Sequence, residues 1–201
     1  MKDWAFTTTV EEMEAALAFE KGLSKHRIGE NEYCATMRKM FRVFTKLEVL
    51  KEEWPEYVKK AEFTLYADGQ SVYESHRRTF HKMIGLKSNQ YESWAVYLEQ
   101  LMVYFVFTYF CGAVYDDNIL GKMQTAVVST ILIQELAMAS WLEHGKSLGF
   151  EDVVDIAHRV SREIEHSDVN LIRLEKICEK MPMFSTEELM RVVLSVILLA
   201  D

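Results

Sequence analysis

Turn-forming residues are scarce in this sequence. Its 201 residues include two prolines, Pro55 and Pro182, and eight glycines, too few to punctuate a fold of many short strands and well suited to long helices. Cysteine is nearly as rare. Cys34, Cys111 and Cys178 are odd in number, far apart and outside any CxxC or Cys/His cluster, which argues against structural zinc or iron–sulfur ligation by this chain alone. Buried free thiols in a reducing compartment are the expectation. Also missing are a Walker loop, GxGxxG, GxSxG, HExxH and a usable Ser/His/Asp order, so no residue is assigned as catalytic. Met1-Lys2-Asp3-Trp4 runs into polar residues rather than an apolar signal segment, and the expected compartment is the cytoplasm.

Positive charge is short in one half only. Residues 1–86 hold 14 Lys+Arg and 14 Asp+Glu, whereas residues 87–201 hold 9 and 17, so the net charge of −8 arises wholly in the second half. Such a surface repels phosphate, and no nucleic-acid partner is expected. It could recruit a basic partner, although solubility is the simpler account.

What the chain has is apolar length. Leu101 to Tyr115 carries no charge, and after Asp116-Asp117-Asn118 comes a second apolar run, Ile119 to Leu142, interrupted by Lys122, Gln124, Gln134 and Glu135. Apolar residues fall on every side of both segments, which predicts helices buried on every side. A membrane span needs about 20 mostly apolar residues. The first run stops at 15 residues and the second contains Lys122 and Glu135, so core helices are preferred and no membrane partner is expected. The apolar share of 49% and charged share of 27% are ordinary globular composition. The predicted fold is all-α: an irregular bundle of eight or nine helices around two buried central helices. One domain, 1–201, is expected, with an N-terminal lobe 1–86 packed on a core 87–201 as the finer division.

Helix boundaries follow from local chemistry. Thr7-Thr8-Thr9 before Glu11-Glu12 starts a helix that Gly22 stops. Asn31 opens an amphipathic segment through Met37, Met40, Phe41, Phe44, Leu47 and Leu50. Pro55 marks a first turn. Asp68-Gly69 is a turn, followed by a helix from Gln70 to Ile84. Ser88 or Asn89 caps the first apolar helix, and Asp116 caps the second, which runs to Gly145. Gly149 precedes a helix with Val153, Ile156, Ala157, Val160 and Ile164 on one stripe. Ser167 or Asp168 starts the next, with Leu171, Leu174 and Cys178 facing inward. Ser185-Thr186-Glu187-Glu188 is a capping box launching a final apolar helix to Leu199.

Several clusters could carry chemistry. Glu163 and His166 have the Glu-x-x-His spacing of carboxylate-bridged di-iron bundles, but a second copy is missing and His166 falls off the apolar stripe. A solvated helix end is the preferred reading, and no metal ligand is assigned. His76-Arg77-Arg78 with His81-Lys82 reads as a solvated basic face. The tyrosines and phenylalanines between Tyr97 and Tyr115 read as packing. Tyr104, Tyr109, Glu165 and His166 are retained as candidates for a polar, aromatic cleft.

The order of these segments resembles a known family. Tyr97 to Phe110 (YLEQLMVYFVFTYF), the long apolar helix Gln124–Trp141, Phe150-Glu151-Asp152-Val153-Val154 and Ser161-Arg162-Glu163-Ile164-Glu165-His166-Ser167 are similar, in that order, to the C-terminal part of flagellin lysine N-methylases. The resemblance covers Tyr97 to Leu199 and, more loosely, the helical first half. It implies a helical accessory region that holds a protein substrate, flagellin, or supports the catalytic part. The family's cysteine-rich region, expected to hold a metal cluster and the methyl-transfer chemistry, has no counterpart here. S-adenosylmethionine and that cluster would therefore belong to a region outside this chain. Two alternatives stay open: a stand-alone interaction or scaffold module, with Leu189–Leu199 as a homodimer face, and a metal- or small-ligand-binding bundle using Glu163 and His166.

Overall fold

A computed structural model describes residue 22, residues 28–85 and residues 94–197. The predicted helix from Thr7 and the Ser88 or Asn89 cap lie outside the described residues, except that Gly22, expected to stop that helix, is itself helical. Among the described residues, eight α-helices of more than one turn follow in order: α1 (Glu30–Phe44), α2 (Trp54–Tyr66), α3 (Gln70–Gly85), α4 (Trp94–Phe110), α5 (Ile119–Glu143), α6 (Phe150–Glu165), α7 (Asp168–Lys180) and α8 (Thr186–Ile197). A single helical turn at Ala113–Asp116 precedes α5, and a 3-10 turn at Pro182–Phe184 precedes α8. Among the described residues there is no strand, and the all-α reading holds.

Most boundaries obey the expected chemistry. Pro55 lies in the first turn of α2, and Gly69 makes the turn before α3 at φ +87°, where a side chain would be strained. The Oγ of Ser167 accepts the Asn170 N–H at 3.2 Å, and that of Ser185 accepts the Glu188 N–H at 3.3 Å. The start of α5 differs from expectation. Asn118, not Asp116, is its cap, accepting the Gly121 N–H at 3.0 Å. Asp117 adopts the left-handed conformation at φ 55°, which ends the preceding turn and moves the helix start past Asp116. Gly121 is what lets the cap close, because a Cβ there would lie 2.5 Å from the Asn118 side chain.

Only one of the two apolar runs is central. The most apolar stretch of α5 is 83% buried, whereas that of Val96–Asp116 is 17% buried. The expectation of two buried helices is thereby corrected to one. Trp94, Phe105 and Tyr109 anchor α4 in the core, and the opposite side of that helix faces outward. A helix that is apolar all round carries no periodic signal to tell which face is covered. Both runs are long and apolar enough to cross a membrane by length and composition.

Around α5 the buried cluster is continuous, drawing residues from Ile28 to Val192. Phe41 meets Tyr66 edge-on at 5.9 Å, and Phe80 makes edge contacts with Trp94 at 5.6 Å and Trp141 at 5.5 Å. These geometries are the preferred ones for rings carrying a negative face and a positive edge. On α8, Leu189, Val192 and Leu194 are buried against the same chain, and the Ser195 hydroxyl donates to the Ile28 carbonyl at 3.2 Å. Of the Leu189–Leu199 face expected for a homodimer, Leu189, Val192 and Leu194 are thus covered internally, while Met190 is exposed. Cys34 and Cys178 are buried as expected, but Cys111, just past the exposed helix α4, is exposed.

Candidate functional site

The four polar interruptions of the second apolar run are all buried on α5, and each has found a partner. Gln124 donates to the Phe184 carbonyl at 2.9 Å, and Gln134 to the Tyr33 hydroxyl at 3.4 Å. Lys122 lies between Asp116 at 2.7 Å and Glu175 at 3.0 Å, and its ammonium holds the Asp116 carboxyl below its usual range. Glu135 is the most elaborately held. Its carboxylate accepts from Tyr66 at 3.0 Å, from Tyr73 at 3.0 and 3.1 Å, and from Tyr33 at 3.5 Å. These tyrosines come from α1, α2 and α3, so one carboxylate ties three helices to the central one.

Arg77 completes this cluster. Its guanidinium lies 3.6 Å from the centre of the Tyr33 ring and donates to the Ser195 carbonyl at 2.6 Å, adding α8 to the set. Burial pushes Glu135 up to about 7, although the tyrosine hydroxyls and Arg77 pull the other way. Burial and the Glu135 carboxylate push the Tyr66 and Tyr73 hydroxyls well above their ordinary range. Next along α3, buried His81 is depressed to about 4 by desolvation and by Arg77. The basic cluster read as a solvated face is therefore split. Arg77 and His81 are in the core, while Arg78 is at the surface, paired to Glu30 at 2.5 Å.

At the other end of the molecule the α6–α7 junction fastens the loop after α1. Asn170 is fully buried; its side chain donates to the carbonyls of Glu48 and Glu163, both at 2.8 Å, and accepts the Glu48 N–H at 2.6 Å. Ser167 donates to the Glu48 carboxylate at 3.1 Å. Glu163, expected at a solvated helix end, is instead 1% exposed and accepts the Leu50 N–H at 2.9 Å. It caps a loop rather than facing water, because the 45–53 connection folds back over the end of α6.

Three of the four cleft candidates come together. Tyr104 donates to Glu165 at 3.0 Å, and Ser161 donates to the same oxygen. Tyr109 is buried, stacks on Phe105 at 5.5 Å, and is driven well above its ordinary range by burial and by Glu165. His166 stands apart as the exposed C-terminal cap of α6. This group pins α4 to the end of α6, and at the other end of both helices Tyr97 meets Phe150 at 5.7 Å. Among the described residues no set of three or more His, Cys, Asp or Glu is placed to hold a metal ion, and the cysteines, two buried and one exposed, do not fit a metal cluster.

On the side away from the core, α4 exposes a row of apolar residues. Val103, Phe107, Phe110 and Val114 recur at i, i+4, i+7 and i+11, with 42%, 72%, 49% and 78% of their surface exposed. The backbone stays helical at Gly112 (φ −71°, ψ −25°), which carries the stripe into the turn at Ala113–Asp116. Tyr115, Ile119 and Leu120 extend the exposed apolar surface to the start of α5. Sequence reasoning missed this face because it assigned the whole segment to the core. The cue available was the absence of polar residues with buried partners, which α5 has and α4 lacks.

Among the described residues the class is all-α, with a central helix whose polar residues are buried and a neighbouring helix with one exposed apolar stripe. A family model described as the FliB lysine N-methylase C-terminal domain matches residues 6–192, so the chain belongs to that family and is a flagellin-methylase-related C-terminal region. The match takes in the helical first half as well as the stretch from Tyr97 onward. No curated protein and no solved structure matches the chain.

Proposed function

We propose that this chain is the substrate-holding helical region of a flagellin lysine N-methylase, not catalytic alone. The observation that carries the reading is the bare apolar stripe of α4 on a member of the C-terminal family. Exposed apolar surface of this continuity is costly in water and marks a contact site. Glu135, Lys122 and Arg77, by contrast, are spent on holding helices together. Glu135 and its tyrosines are sealed from solvent and out of reach of a protein lysine.

On this reading the flagellin chain is the protein partner. S-adenosylmethionine and a metal cluster belong to the cysteine-rich part of the methylase, and the compartment is the cytoplasm. The test has two arms. The purified chain is mixed with flagellin and labelled S-adenosylmethionine, and binding is measured separately on immobilised flagellin. Binding without label transfer is the expected result. Label on flagellin lysines from this chain alone would place the chemistry here and overturn the assignment.

A further inference from the structure

The stripe on α4 has a definite length and definite ends. From Val103 to Val114 it spans about 17 Å at about 1.5 Å per residue, and nothing charged lies along it. Glu99, exposed and four residues before Val103, lies at one end, and exposed Asp117, just past the turn at Ala113–Asp116, lies at the other. Glu165 flanks it on the α6 side. Lys122, near the Asp117 end, is buried between Asp116 and Glu175 and offers nothing to a ligand. The face is apolar in the middle and anionic at its rims.

That charge pattern selects the occupant. A second copy of the chain laid antiparallel would bring Glu99 against Asp117, and laid parallel would bring each acid against itself. An anionic lipid surface meets the same repulsion. We infer that the α4 face binds an amphipathic helix of another protein, with apolar residues at i, i+4, i+7 and i+11 and Lys or Arg about four residues beyond each end. An apolar stripe laid against an apolar helix face supplies the affinity, and the flanking cations fix its register along the stripe. This rests on the substrate-holding reading, for which it names the recognition element.

The test uses the full chain and two synthetic helices. One carries four leucines at the stated spacing with lysines at both flanks; the other has glutamates in place of the lysines. Fluorescence anisotropy is expected to show the lysine-flanked helix binding at least tenfold tighter. Phe107→Glu with Val114→Glu, both at exposed sites, should weaken it more than tenfold although the chain becomes more acidic, which separates docking from general charge attraction. Glu99→Gln with Asp117→Asn should weaken it severalfold and flatten its salt dependence, asparagine being tolerated at a left-handed position.

Equal binding of both helices, or no effect of Phe107→Glu, overturns the inference. So does a dimer in light scattering, or sedimentation with vesicles of phosphatidylcholine and phosphatidylglycerol, that Phe107→Glu abolishes. Flagellin keeps the two readings distinguishable. Helix binding on this face without flagellin binding supports the inference and removes the substrate assignment. Flagellin binding unaffected by Phe107→Glu does the reverse.

Discussion

Glu135→Gln offers the sharpest test of how the core is built. The carboxyl of Glu135 is raised from 4.5 to about 7, with burial as the leading cause. The folded chain therefore holds the proton more tightly than the unfolded chain does. Stability from this group is fully present below about pH 4.5 and is lost as the pH rises through about 7. The gap between the two values, at about 1.36 kcal/mol per unit, makes the loss about 3 kcal/mol. Glutamine keeps the shape and an acceptor oxygen but has no proton to lose.

The assay is urea unfolding of both proteins from pH 4.5 to 8, read as the difference between them so that other titrating groups cancel. That difference should move by about 3 kcal/mol in favour of glutamine over the interval. Tyr73→Phe removes a donor to the carboxylate, raising Glu135 further and shifting the loss to higher pH. A difference that stays flat, or moves in favour of glutamate as the pH rises, would refute the reasoning. It would mean that the tyrosines and Arg77 hold a permanently ionised carboxylate.

The remaining expectations concern the other buried polar groups. Asn170→Ala leaves the Glu48 N–H and two carbonyls without partners, and should destabilise by about 2–4 kcal/mol while speeding proteolysis within residues 45–53. Lys122→Met leaves the buried Glu175 carboxylate without its cation and should cost about 3 kcal/mol or more. Adding Glu175→Leu should recover most of that loss, measured by the same urea unfolding. Of the three thiols, Cys111 alone is exposed, and burial pushes Cys178 up to about 12. One fast equivalent and two slow ones are expected in a thiol titration of the folded chain.

The boundaries at Pro55, Gly69, Ser167 and Ser185 were readable because each rests on local chemistry: a fixed φ, a left-handed turn, a hydroxyl accepting the third N–H; the helical class was readable from the scarcity of turn residues, and the kinship from the order of segments. Long-range partners were not readable. Glu135 lies 102 residues from Tyr33 and 69 from Tyr66, and no spacing rule connects them. Arg77 and His81 looked like surface charge because their covering helices are distant in the chain. Tyr104 and Glu165 were singled out, but by order of segments rather than by geometry, and His166 was carried along with them.

The misjudged helix makes a more general point about apolar runs. α4 is the purer hydrophobic segment, yet α5 is the interior one. The charged and amide residues that seemed to count against burial of α5 are what mark it as interior. An unpaired Lys, Gln or Glu in a core is costly, so a chain retains several of them on one helix only where partners surround it. Lys122, Gln124, Gln134 and Glu135 each meet a group from another element, on several different sides of α5. A helix without such residues shows no polar ties on several of its sides. In α4 the anchoring tyrosines and Trp94 settle one side, and the stripe from Val103 to Val114 is left for something else to cover.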